Sequence, residues 1–167
     1  MFMETEILFS EYSQLLKIRR VRTRGVVRDE IFDPVRQKFL VLQPEEVVRQ
    51  LVVQHLHLSC EVPFAWMRTE YGIEVNERQK RCDIVVFDKQ IRPKLIVECK
   101  RPSVDISQAT FFQIATYNSV LKVPYLLLTN GKQAFCGEIL SDAEDTGGGG
   151  FFNYLQKIPN FEELNSK

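Results

Sequence analysis

The stretch RCDIVVFDKQIRPKLIVECKRP, Arg81 to Pro102, sets the reading of this chain. Two apolar runs, Ile84-Val85-Val86-Phe87 and Leu95-Ile96-Val97, are rich in β-branched residues and predict strands. The second is unbroken enough for burial on both faces. The connection DKQIRP between them is short enough to return as a hairpin. Yet Asp83 stands at the mouth of the first run, and Glu98 and Lys100 at the exit of the second. Alternate residues of a strand share a face, so Glu98 and Lys100 point one way and Cys99 the other. If the two strands pair, the carboxylates of Asp83 and Glu98 converge. Converging carboxylates at a core boundary are costly unless a cation neutralises them. Mg2+ suits such a pair, because it takes oxygen ligands and typically uses one or two carboxylates together with waters and phosphate oxygens. Lys100 would then stand where an ammonium can orient or stabilise an attacking water, an arrangement for phosphodiester hydrolysis.

Working outward, the pattern is α/β-like and predicts a mixed central sheet flanked by helices. Upstream, KIRRVRTRGVVR (Lys17 to Arg28) is basic and β-branched, and EIFDPVRQKFLVL reads as two short strands about an Asp33-Pro34 turn. Pro44 opens a helix: proline is tolerated at the first helical position, Glu45 and Glu46 suit the positive end of the dipole, and apolar residues recur through Val47, Val48, Leu51, Val52 and Leu56 to an end near Ser59. YGIEV and RCDIVVFD predict an antiparallel pair around NERQK. A second helix is expected over roughly Ile106 to Leu121, then a buried strand PYLLLT, a TNG turn and a pairing strand KQAFCGEIL. The acidic, glycine-rich SDAEDTGGGG reads as a flexible linker, and the tail as packing back through its aromatics. One domain is expected, with a core over about 42–140, an N-terminal extension over 1–41 and a C-terminal segment over 141–167.

Composition limits the alternatives. At 167 residues the chain is long enough to bury about two thirds of its unfolded surface without disulfides or metal staples. Lys and Arg number 22, as do Asp and Glu, so an anionic partner would have to be drawn by a local basic patch, not by a global field. No apolar run reaches about 18 residues, which argues against a membrane span, and the acidic N-terminus lacks the character of a signal peptide. A cytoplasmic location is expected. The four cysteines are scattered singly and read as small buried hydrophobes, not as a zinc site or a disulfide framework.

Asp83, then Glu98-Cys99-Lys100 after 14 intervening residues, resembles the PD-(D/E)xK nuclease signature, with Cys82 in place of the proline. In order along the chain, PEEVVRQLVVQHL, KRCDIVVFD, LIVECKRP, FFQIATYN and YLLLTNG resemble the N-terminal nuclease domain of type I restriction enzyme R subunits and its stand-alone relatives, over about Leu42 to Gly131. That resemblance implies a restriction-endonuclease-like fold and a Mg2+-dependent DNA endonuclease, with Mn2+ able to substitute and a 5′-phosphate left on the product. It implies that Asp83, Glu98 and the backbone carbonyl of Cys99 bind the metal, that Lys100 is the catalytic lysine, and that an acidic residue of the first helix completes the site. It further implies a role for Gln113 and Tyr117, which match the Gln-x-x-x-Tyr motif of RecB-like relatives.

The residues themselves speak to these additions. Gln113 and Tyr117 are i and i+4 and share a helix face. Glu45 and Glu46 lie about 100° apart around their helix, so only one can face the sheet. Glu46 is favoured, because Arg49 and Gln50 extend its polar stripe, and helix capping by both acids is the alternative. Arg78, Lys80 and Arg81 lead into the Asp83 strand and are candidates for the nucleic-acid backbone. The basic segment Lys17 to Arg28 could also track phosphates or could be a solvated strand face. His55 and His57 read as surface or core residues. Type I R subunits couple their nuclease to a motor, and this sequence contains no GxxxxGK[ST]. DNA is the expected partner, with a separate ATPase or specificity subunit and a homodimer as further possibilities, and a catalytically silent binding or assembly module is the rival reading.

Overall fold

A computed structural model describes residues 4–75, 77–115, 118–140 and 152–166. It is an α+β fold with two sheets. The N-terminal sheet has the order β1 (Ile18–Thr23), β2 (Val26–Asp33), β3 (Lys38–Val41) and is antiparallel throughout. The central sheet has six strands in sequence order: β4 (Met67–Val75), β5 (Arg78–Phe87), β6 (Pro93–Cys99), β7 (Tyr125–Thr129), β8 (Ala134–Ile139) and β9 (Phe152–Leu155). Among the described residues only β6 and β7 run parallel. A parallel neighbour needs a crossover, and the segment carrying α2 (Gln108–Ala115) and α3 (Asn118–Leu121) provides it. This is the mixed sheet with a restriction-endonuclease-like core that the sequence predicts.

Helix α1 (Pro44–Leu58) begins at the proline and is capped at Ser59, whose N–H donates to the His55 carbonyl. Its apolar face packs Val48, Val52, Val53 and Leu56 on Ile84, Val86, Leu95, Val97 and Leu127. The opposite face of the sheet, through Val85, Ile96, Leu126 and Leu128, receives Phe111 and Ile114 of α2. β6 and β7 are therefore covered on both sides, which is why their sequences are unbroken apolar runs. The β4–β5 connection is tighter than NERQK suggests: Val75 already pairs with Arg78, so Arg78, Gln79 and Lys80 belong to the strand.

The tail packs through Ile158 and Leu164, with α4 (Phe161–Asn165) closed by a capping box between Asn160 and Glu163. The cysteines are free and buried. His55 stacks edge-on against Phe9 and Tyr12, and burial lowers its pKa to about 4, so this half-buried imidazole is neutral at physiological pH. His57 stacks on Phe64. Among the described residues no helix is long and apolar enough to cross a membrane. The glycine-rich linker expected at 147–150 lies outside the described residues.

Candidate active site

The site forms where β5 and β6 part company. Their antiparallel ladder ends at Ile84↔Val97, and beyond that point β5 continues with β4 while β6 continues with β7. One step past the last rung the ladder would bring Asp83 beside Glu98. There a side chain takes over from backbone pairing, and the Cys99 N–H donates to Asp83 Oδ2 at 2.7 Å.

The chain is unusual on the β4 side of this fork. β4 pairs Thr69 with Ile84 and Tyr71 with Cys82, leaving Glu70 opposite Asp83 outside the ladder with φ 53°. A glutamate in the left-handed region costs on the order of 1–3 kcal/mol and persists only where surrounding contacts enforce it. Regular alternation breaks with it: Ile84 faces the α1 core, while Cys82, two residues earlier, packs into the α2 core.

Arg49 of α1 occupies the space over the fork. Its guanidinium lies 2.6 Å from Glu46 Oε2, 2.7 Å from Asp83 Oδ1 and 2.9 Å from Glu70 Oε1. Only 6% of its side chain is exposed. Burial opposes its charge, but the Asp83 and Glu46 carboxylates more than offset that, and its pKa is raised. Glu46 also accepts from Gln50 Nε2 at 2.9 Å, and burial pushes its carboxyl upward. Asp33, fully buried, accepts from Thr69 Oγ1 at 2.9 Å and from the N–H groups of Val35 and Arg36, and its charge is felt at Glu46.

Glu98 and Lys100 form the other half. Lys100 Nζ stands 2.7 Å from Glu98 Oε1, as same-face residues at the end of one strand do, while Cys99 is buried in the α1 core. Burial first and the neighbouring Asp83 charge second push the Glu98 carboxyl up to about 7. For Lys100, burial works against the ammonium, but the hydrogen bond and charge of Glu98 outweigh it and the pKa is raised. Glu45 also acts on both groups electrostatically, whereas Glu46 is turned to Arg49.

The donor set suits a small, hard cation. Glu98 Oε2 is buried and without a hydrogen-bond partner among the described residues, an orphaned acceptor beside a second carboxylate. Asp83, in contrast, has both oxygens engaged, by Arg49 and by the Cys99 N–H. Among the described residues no three His, Cys, Asp or Glu side chains gather as a metal cage. Two carboxylates with water and substrate oxygens are what Mg2+ ordinarily requires of a protein.

Arg78, Lys80 and Arg81 are exposed on β5. Arg81 reaches Glu70 Oε2 at 3.1 Å, so an ion-pair chain runs from the surface through Glu70 to Arg49 and Asp83. Lys80 and Arg81 line an open polar cleft of about 680 Å³ with Arg36, Thr69 and Glu70. Gln113 falls within α2, while its side chain and Tyr117 lie outside the described residues. Sequence reasoning placed Arg49 on the polar stripe of Glu46 without making it the hub of the cluster, and it missed Glu70 and Asp33. An arginine three residues after Glu46, on the buried face of an apolar helix, was the available signal. Nothing local marks Glu70.

The family model described as the type I restriction enzyme R protein N terminus matches residues 44–159 of the chain. No curated protein matches it.

Proposed function

The chain belongs to the type I restriction enzyme R protein N-terminal family, and from that premise we propose that it is a Mg2+-dependent DNA endonuclease module that hydrolyses phosphodiester bonds. The observation that carries the reading is the orphaned, buried Glu98 carboxylate oxygen beside Asp83 and within an ion pair of Lys100. Asp83, Glu98 and the Cys99 carbonyl are the proposed cation ligands. A bound Mg2+ or Mn2+ would polarise the phosphoryl group and make water a better nucleophile. Lys100, with its raised pKa, stays protonated at neutral pH, so it acts as a hydrogen-bond donor and fixed positive charge toward the attacking water and the phosphoryl oxygens. Arg49, itself held by Glu46 and Glu70, keeps Asp83 in place; Gln113 and Tyr117 are proposed to complete the site from the crossover helix, and Arg78, Lys80 and Arg81 to meet the DNA backbone. A separate ATPase or specificity subunit is the proposed partner, and cutting both strands with one site per chain favours a homodimer.

One observation favours a second reading, a catalytically silent nucleic-acid-binding or assembly module: Arg49 already pairs with Asp83, Glu46 and Glu70, engaging carboxylate oxygens that a cation would otherwise take. Incubation with supercoiled DNA decides between them. The nuclease reading expects nicking with Mg2+ or Mn2+, none with EDTA, and at least a thousandfold loss in Lys100→Ala. Binding without cleavage in any metal points to the silent module.

A further inference from the structure

The β1–β2 hairpin lies outside the residues that match the family and outside the candidate site. Its inner end is docked, with Ile31 and Asp33 fully buried. Its outer end buries nothing. Every residue from Arg22 to Arg28 is exposed, Val26 and Val27 included. The tip is a two-residue turn with both central residues left-handed, Arg24 at φ 51° and Gly25 at φ 81°, the geometry that keeps a twisted two-stranded ribbon straight. A ribbon projecting from the core gains little stability by itself.

Its charge is as distinctive as its shape. Between Lys17 and Lys38 eight basic residues face three acidic ones, in a chain whose charges balance overall. The three acids are already committed. Asp33 holds its turn and Thr69, Glu30 lies beneath Arg19 and Arg28, and Asp29 pairs with Arg20. These pairs hold the arginines along the ribbon while leaving each at least half exposed. Arg22 and Arg24 carry no salt bridge among the described residues. At the base of the same sheet, Arg36 lines the cleft shared with Lys80 and Arg81, so basic groups extend from the hairpin tip to the edge of the candidate site.

We propose that this hairpin is a grip for duplex DNA, with its tip in the major groove and Arg22, Arg24 and Arg28 on backbone phosphates. The major groove, about 12 Å wide, admits a two-stranded ribbon. Single-stranded nucleic acid is usually held by aromatic platforms, and the tip has none: Phe32 and Phe39 lie near its base, beneath Lys17 and Arg19. The proposal rests on the nucleic-acid reading above but not on catalysis.

The test is fluorescence anisotropy with a labelled duplex of about 25 base pairs and a single strand of equal length, in EDTA, across a salt series. Arg22→Gln/Arg24→Gln should weaken duplex binding about tenfold at 0.1 M salt and make the log–log salt slope shallower by about two, with an unchanged melting temperature. Replacing the tip from 22 to 28 by a short Asn-Gly turn should do at least as much. Unchanged affinity and slope in both variants overturn the grip, as does an equal loss on the single strand, or wild-type protein that binds no duplex and captures an acidic protein instead. Wild-type protein that binds duplex through these arginines yet never cuts leaves the grip standing and removes the nuclease reading. Cleavage with hairpin variants that bind like wild type does the reverse.

Discussion

At the scale of single residues, Arg49 joins three carboxylates through one buried guanidinium. Its planar fork reaches Glu46 from one nitrogen and Glu70 and Asp83 from the other, which the single ammonium of a lysine could not match. Removing one partner of a buried ion pair costs about 3–5 kcal/mol, because the other charge is left uncompensated. Arg49→Met should therefore lose that amount in urea unfolding, and millimolar Mn2+ should restore part of it by binding the released carboxylates. A variant as stable as wild type in EDTA would show that the ion pairs carry no net weight. Glu98 makes a prediction of the opposite kind. Its folded pKa of about 7 lies above the ordinary 4.5, so the folded state holds a proton that the unfolded state has already released. The stabilising contribution is full below pH 4.5 and is lost as pH rises through 7, a penalty of about 3 kcal/mol at pH 8. Glu98→Gln, measured by urea melts at pH 5 and pH 8, should leave stability at pH 5 nearly unchanged and raise it at pH 8. An equal effect at both pH values would place the carboxyl in an ordinary environment.

At the scale of elements, the site is a consequence of strands that separate. β5 and β6 share a ladder only as far as Ile84 and Val97, and each then follows its other neighbour. The fork needs both flanking helices seated on the sheet, and the α2 side depends on one small residue. Gly137 of β8 lies directly under Phe111, so a Cβ built there would stand 2.9 Å from the ring's Cζ. Phe111 is itself fully buried and packs edge-on against Phe152, which leaves its ring little room to withdraw. Gly137→Ala should cost about 1–3 kcal/mol by overpacking. Thermal melts give the size. A neutral result would show that α2 can rise from the sheet without penalty.

At the scale of the whole molecule, the family match begins at Pro44, but the packing does not. Thr5 donates its N–H to the Ala134 carbonyl and its hydroxyl to the Leu155 carbonyl, binding the first residues to the β8–β9 end of the central sheet. Phe9 is buried in the α1 core, and Asp33 hydrogen-bonds Thr69 beside the candidate site. A chain beginning at Leu42 should therefore expose the α1 core around Phe9 and leave Thr69 without its acceptor. Its expected behaviour is loss of a cooperative thermal transition and binding of a hydrophobic dye. A sharp transition near the wild-type temperature would make the first 41 residues an independent appendage.

The sequence by itself determined most elements of the core and their order, though not the strand β9 or the helix α4 of the tail. Pro44 marks the helix start, unbroken apolar runs mark doubly covered strands, and Asp33-Pro34 marks the turn, because each is a local consequence of backbone chemistry and period. It also brought Glu98 and Lys100 to one face, since two residues along a strand is a fixed geometry. Only the tertiary structure decided what surrounds them. Arg49, Glu70 and Asp33 come from a helix and two strands of different sheets, and the left-handed backbone that leaves Glu70 out of the ladder has no residue-type signal. That Glu46 is buried against Arg49 while Glu45 is only half-buried follows from the roll of α1 on the sheet. Helical period fixes the angle between two neighbours, but the roll is set by how Val48, Val52 and Leu56 pack, a property of the assembled core.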